Sequence, residues 1–191
     1  VFNRGVEKRK IFLDEEDYSY FSHVLELFND KTPALNARFH YRSRTSIEKP
    51  KNKLVEIVGY CLMPNHFHLI LRQQVDGGIS KYLQKLGTGF THYFNKKYKR
   101  SGVLFQGKTK SNHIDQDKYL RYLKMYLEFN PLDLVESDWK EKGIRNHEKA
   151  KKFLEDYKWK SKPRKDYSNL DLSTTNEEFR EFVKTIEVGL Q

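Results

Sequence analysis

The chain has 191 residues, and its 36 lysines and arginines outnumber its 26 aspartates and glutamates, which gives a formal net charge of +10 at pH 7. It contains no apolar run near the roughly 18 residues that a membrane span needs. Its single cysteine, Cys61, excludes an internal disulfide framework and a cysteine-rich zinc site. We therefore expect a soluble intracellular protein, without a secretory signal, that binds an acidic partner: nucleic acid first, an anionic membrane second.

Hydrophobic periodicity predicts seven secondary-structure elements before residue 130, in the order β-α-β-β-α-β-α. In chain order they cover residues 2–5, 15–29, 54–63, 66–72, 79–98, 102–114 and 115–129. Asp14 and Asp115 precede helical patterns and are expected N-caps, and Pro131 is expected to end the last of these helices. The first six elements have the order of a ferredoxin-like split βαβ fold, so we predict the α+β class with an antiparallel sheet.

The last part of the chain has a different composition. Residues 140–165 are strongly basic with interleaved Trp and Tyr, and a Thr-x-x-Glu capping box predicts a final helix over 176–188. We expect one domain over residues 1–135 and a basic helical C-terminal appendage over 136–191.

Basic side chains are concentrated in three regions: the loop predicted over residues 30–53, the helix end near residues 96–100, and the C-terminal appendage. A solvated charged surface is the ordinary explanation of one such region, but three of them on a chain of +10 favour nucleic-acid binding. The candidate nucleic-acid-binding residues are Arg4, Arg42, Arg44, Lys96, Lys97, Lys99, Arg100, Lys108 and Lys110.

The strongest chemical signal is the triplet His66-Phe67-His68. Side chains alternate along a strand, so both imidazoles are expected on one face of the sheet and Phe67 on the other. Imidazoles at positions i and i+2 of a rigid strand can hold one divalent ion. An isolated His-x-His is more often a pair of solvated strand histidines, but the preceding Met-Pro-Asn turn and the strand pair around it strengthen the metal hypothesis.

A second signal lies on the helix predicted over residues 115–129. Tyr119, Tyr122 and Tyr126 share one helix face, and Asn130 follows Tyr126 by four residues. A phenol beside a metal can attack phosphorus, and an amide oxygen can complete a site for a hard metal ion. Tyrosine stripes more often serve helix packing, and the spacing does not choose among the three tyrosines.

Several stretches together resemble the HUH (His-hydrophobic-His) single-tyrosine transposases, and most closely the REP-associated tyrosine transposases. Residues 63–69, Met-Pro-Asn-His-Phe-His-Leu, resemble the HUH signature, and residues 126–131, Tyr-Leu-Glu-Phe-Asn-Pro, resemble the nucleophile motif. Further agreement, in the same order, is found at residues 3–5, 11–14, 93–96, 100–102 and 104–108. The resemblance covers about residues 2–135, although Leu132 stands where the family usually has Val.

The resemblance implies a role for each candidate residue. His66 and His68 would ligate Mg²⁺ or Mn²⁺, Asn130 would be the third ligand, and Tyr126 would be the nucleophile. The substrate would be single-stranded DNA, often folded as a hairpin, which is cleaved through a 5′-phosphotyrosine intermediate. Members of this kind act as monomers or homodimers, and a cytoplasmic, nucleoid-associated location is expected.

Two other functions are compatible with the same residues. A ferredoxin-like sheet can be a non-catalytic platform for single-stranded nucleic acid, although the aromatic pattern typical of such platforms is missing here. A metal-dependent phosphodiesterase that uses water would cleave DNA without forming a protein–DNA adduct.

Overall fold

The computed structural model describes residues 1–32, 37, 41, 50–161 and 177–188. Arg42 and Arg44, two of the candidate nucleic-acid-binding residues, lie outside the described residues, as does most of the loop predicted over 30–53. The strands are β1 (Phe2–Arg4), β2 (Val55–Met63) and β3 (His66–Gln73). The helices are α1 (Glu15–Leu27), α2 (Gly78–Lys97), α3 (Asp117–Phe129), α4 (Trp139–Lys142), α5 (His147–Asp156) and α6 (Glu177–Val188).

The three strands form an antiparallel sheet in the order β1-β3-β2, which confirms the α+β class. In this register His68 lies opposite Phe2 on one side and opposite Cys61 on the other. Strand β3 is thus the central strand, and its histidines are held by hydrogen-bonded neighbours on both sides.

The prediction of a continuous strand over residues 102–114 was wrong. The segment pairs with β1 only through isolated bridges, Phe2 with Lys110 and Gly5 with Phe105. Gly102 and Gly107 both adopt positive φ values, 84° and 70°, which turn the backbone out of the extended conformation. The segment still lies beside β1, at the edge where a split βαβ fold has its fourth strand.

The predicted N-cap was right at α1 and wrong at α3. The Asp14 side chain accepts a hydrogen bond from the backbone N–H of Asp17, at 3.0 Å, and so caps α1. Helix α3 has Gln116 rather than Asp115 at its N-cap, and no side chain caps it. At its other end, α3 stops at Phe129 as predicted, and a 3₁₀ turn over Asn130–Leu134 follows it.

The sheet has a hydrophobic core on each face. Helices α1 and α2 cover one face, where Phe21, Phe67 and Phe90 pack together. Their close approach depends on Gly89, because a Cβ there would lie 2.4 Å from the ring of Phe28. The second core covers the face that carries the histidines and joins α3 to residues of the C-terminal segment, among them Trp139.

The C-terminal segment also covers the outer edge of β2. The backbone N–H of Leu62 donates to the carbonyl of Trp159 at 2.8 Å, and the N–H of Ser161 donates to the carbonyl of Tyr60 at 2.9 Å. Trp159 stacks on Tyr18 of α1 with 4.9 Å between ring centroids. The described residues after 135 are therefore packed against the predicted domain, whereas the boundary itself stays a prediction. Among the described helices, none combines the length and apolar character needed to cross a membrane.

We expect Phe179→Ala in α6 to lower the free energy of unfolding by about 3 kcal/mol, since Phe179 is fully buried against α3 and its truncation leaves a cavity. The control is Leu134→Ala, because Leu134 is 45% exposed and its truncation should change stability by less than about 0.5 kcal/mol. Urea unfolding followed by circular dichroism measures both. Equal effects of the two substitutions would contradict the packing of α6 into the second core.

Candidate active site

Strand β3 places His66 and His68 on the face of the sheet that α3 covers. Alternation along the strand puts Phe67 in the opposite core, as predicted. The two imidazoles are perpendicular, with 5.0 Å between ring centroids, and only 3% of the His68 surface is exposed. The rings are therefore close enough to act on one bound group.

Helix α3 brings the hydroxyl of Tyr126 to the same place. The hydroxyl oxygen lies 3.5 Å from Nε2 of His68, which is long for a hydrogen bond, and the two rings meet edge to face. Tyr119 and Tyr122 instead contact Phe182 of α6, so the three tyrosines that share a helix stripe have different surroundings. Of the three, Tyr126 is the one in contact with a histidine of β3.

Asn130 follows Tyr126 by one turn and is fully buried at the start of the 3₁₀ turn. Neither its amide nitrogen nor its amide oxygen has a hydrogen-bond partner of good geometry. A buried amide without partners is destabilising by about 1–3 kcal/mol per unsatisfied group, so folded proteins retain one mainly where it has a functional partner.

Asn65, next to the strand, orients the first imidazole. Its side-chain oxygen lies 2.7 Å from Nδ1 of His66. Because an amide oxygen can only accept, Nδ1 carries the proton and the Nε2 lone pair of His66 is available to a ligand.

Both histidines are held neutral at pH 7. Burial lowers the pKa of His66 to about 4, and the positive charges of Lys140 and Arg4 add to this effect while the nearby Asn130 amide opposes it. Burial, His66 and Lys140 hold the pKa of His68 well below its usual value. Neutral imidazole is the form that coordinates metal ions, so no proton has to be removed before a metal ion binds.

These residues fit a divalent metal ion. Two neutral imidazoles and one partnerless amide oxygen would supply three ligands and leave coordination positions open for substrate oxygen or water. Within the described ranges, no group of three or more His, Cys, Asp or Glu is arranged to hold a metal ion. In this set the third ligand would be the amide oxygen of Asn130.

The sequence did not predict that Asp133, Trp139 and Lys140 lie beside the site. Asp133 accepts a hydrogen bond from the indole nitrogen of Trp139, at 2.7 Å, and pairs with Lys140 at 2.6 Å. The Lys140 ammonium lies 5.6 Å from the centre of the Tyr126 ring. The available signal was Asp133 itself, a carboxylate close to the Asn-Pro motif and followed by a basic segment.

The structure places the candidate nucleic-acid-binding residues in different surroundings. Lys97 is only 15% exposed and forms ion pairs with Asp14, Glu16 and Asp17, so its charge is already compensated within the protein. Arg100 donates to the side chain of Asn95 and to the carbonyl of Val103. The other described members lie on the surface or near it, and their nucleic-acid contacts stay predictions: Arg4, Lys96, Lys99, Lys108 and Lys110.

This arrangement defines an α+β protein with one tyrosine hydroxyl and two neutral histidines in a single buried cluster. A protein-family model described as "Transposase IS200 like" matches residues 17–130, which is more than half of the chain. The chain therefore belongs to the IS200-like transposase family. The match supports a transposase-type activity on DNA and includes both histidines, Tyr126 and Asn130. Comparisons with curated proteins and with solved structures gave no significant match.

Because their surroundings hold both histidines in the neutral form, we expect acid to destabilise the protein between pH 6.5 and about 4. In this window the unfolded chain binds protons at histidines that the folded chain leaves neutral, so stability falls as the pH falls. Between pH 7 and 4.5 the wild type should lose about 4 kcal/mol more than the double variant His66→Gln/His68→Gln, or about 2 kcal/mol for each histidine.

Chemical denaturation at a series of pH values measures this difference. The control is His92→Gln, since His92 is exposed on α2 and its replacement should leave the wild-type pH profile in place. If the free energy of unfolding depends on pH in the same way in the wild type and in the double variant, the two histidines are not held neutral in the folded protein.

Proposed function

We propose that the protein is a single-stranded DNA endonuclease and strand transferase of the REP-associated tyrosine transposase type, acting on hairpin-forming DNA. The observation that carries the proposal is the position of the Tyr126 hydroxyl, 3.5 Å from Nε2 of His68 and one helical turn from the partnerless amide of Asn130. A nucleophile and a candidate metal-binding set are thus held by a strand and a helix, which are rigid elements.

In the proposed reaction the Tyr126 oxygen forms a bond to phosphorus while the bond from phosphorus to O3′ breaks. The phenol loses a proton and the leaving oxygen gains one, which yields a 5′-phosphotyrosine and a free 3′-OH. The new linkage is again a phosphodiester, so the 3′-OH of another strand can reverse the step without ATP.

The metal ion of this proposal would be Mg²⁺ or Mn²⁺, held by His66, His68 and Asn130. When bound, it would polarise the phosphate and offset the negative charge that develops during attack. The protein residues hold the histidines neutral and aim the hydroxyl, and the covering side chains exclude bulk water from Tyr126, whose surface is fully buried.

The same burial favours a second candidate, a non-catalytic protein that binds single-stranded nucleic acid. A tyrosine with no exposed surface has to become accessible before it can attack a phosphate. Binding of hairpin DNA without cleavage in any divalent metal would support this candidate, and cleavage without a covalent adduct would point to a phosphodiesterase that uses water.

We expect Tyr126→Phe to abolish the covalent protein–DNA adduct and to change DNA affinity by less than about threefold, or about 0.7 kcal/mol, since only one hydroxyl is lost. A denaturing gel with a library of labelled hairpins and Mn²⁺ detects the adduct. Tyr119→Phe and Tyr122→Phe are the matched controls and should keep it. If the adduct persists in Tyr126→Phe, the nucleophile assignment is wrong.

We expect His66→Ala to weaken Mn²⁺ binding at least about tenfold, because one of three protein ligands is removed. Titration of the DNA-free protein, followed by electron paramagnetic resonance of free Mn²⁺, measures the affinity. His92→Ala serves as the control. The same Mn²⁺ affinity in His66→Ala and the wild type would exclude His66 as a ligand.

A further inference from the structure

Lys140 lies in helix α4, outside the part of the chain that the family model matches. Its ammonium is held in place by Asp133, whose other carboxylate oxygen accepts the indole N–H of Trp139. Trp139 is buried against Phe129, at the end of α3. The Asp133 carboxylate thus binds both the buried Trp139 and the charged Lys140, and it holds α4 beside the helix that carries Tyr126.

The ammonium lies beside the candidate active site, over the ring of Tyr126. Its nitrogen lies 5.6 Å from the centre of the Tyr126 ring, and the Lys140 side chain is only 15% exposed.

Lys140 also lines a surface groove of about 430 Å³ between α4 and α6. The other lining residues are Glu141, Arg180, Glu181 and Lys184. Glu181 is paired with Lys184, and the buried Nε of Arg180 has no hydrogen-bond partner. Lys140 therefore lines the groove and also lies over the ring of Tyr126.

We propose that Lys140 binds the scissile phosphate beside Tyr126, and that the DNA strand reaches it along the groove between α4 and α6. This inference rests on the proposed nuclease function and adds to it a phosphate-binding residue from the C-terminal segment.

The chemistry of the ammonium suits this role. Attack by the phenol adds negative charge to the phosphate oxygens, and a fixed cation in a site of low dielectric stabilises that charge more strongly than water does. A lysine has three N–H donors, so it can bind a phosphate oxygen and keep its bond to Asp133.

The test compares Lys140→Gln with Lys142→Gln in the full chain. Glutamine can still donate a hydrogen bond to Asp133, so the first variant removes the charge and keeps the anchor. Lys142 lies in the same helix, is 69% exposed and is paired with Asp138, which makes it the matched control. The measurement is the rate of adduct formation at saturating hairpin DNA with Mn²⁺, together with the DNA dissociation constant over a range of salt concentrations.

We expect Lys140→Gln to lower the rate of adduct formation at saturating DNA about 10- to 100-fold. The slope of log Kd against log salt concentration should fall by the amount expected for about one phosphate contact. Lys140→Arg should restore most of the rate because it restores the charge, and Lys142→Gln should stay within about twofold of the wild type. Thermal unfolding identifies any loss of folding. If Lys140→Gln is unstable, Lys140→Met replaces it in the same comparison.

The outcomes separate the two ideas. If the wild type forms a Tyr126-dependent adduct and the two Gln variants react at the same saturated rate, the role of Lys140 is overturned and the nuclease function stands. If the wild type forms no adduct with any hairpin or metal, the proposed function fails and the Lys140 inference fails with it.

Discussion

The pairing of β3 between β1 and β2 is the constraint on which the rest of the structure depends. Hydrogen bonds on both sides fix the register, with Phe2 and Cys61 opposite His68. A shift of one residue would turn both histidines into the core of α1 and α2 and put Phe67 in their place. The position of the imidazoles therefore follows from the sheet, and α3 has only to pack on the correct face for Tyr126 to reach them.

The packing of α3 on that face removes polar groups from water, which costs free energy. Both imidazoles lose water, and the amide of Asn130 is buried without a hydrogen-bond partner of good geometry. Apolar side chains of similar volume would stabilise the same core better, since buried polar groups without partners are destabilising. The second core, which extends from α3 through Trp139 to α6, offsets this cost. The site is therefore stabilised by residues far from it in sequence.

The comparison of sequence and structure shows which features local patterns determine. Helices α1 and α2 and the hairpin of β2 and β3 were predicted within a few residues, because their apolar periodicity and turn residues act locally. The strand expected over residues 102–114 was wrong, because the positive φ angles of Gly102 and Gly107 outweigh the extended propensity of their neighbours.

The site was predictable only in part. The alternation at His66 and His68 and the spacing from Tyr126 to Asn130 could be read directly from the chain. Spacing could not distinguish Tyr126 from Tyr119, because that difference comes from the contact of Tyr119 with Phe182 of α6, about 60 residues further along. The same holds for Lys140, whose proposed role depends on its ion pair with Asp133 rather than on any local motif.

The charges of the cluster explain how the proposed site can be both buried and reactive. Lys140 and Asp133 neutralise each other and both histidines are neutral, so these four residues carry no net charge and their burial is not prohibitive. The two groups that the proposed reaction adds, a divalent cation and a phosphodiester, have opposite charges. Each would lower the cost of burying the other in a medium of low dielectric. With two neutral imidazoles and a neutral amide as the proposed ligands, the protein would supply no charge to compensate the cation, so the phosphodiester would supply the first negative charge that it meets.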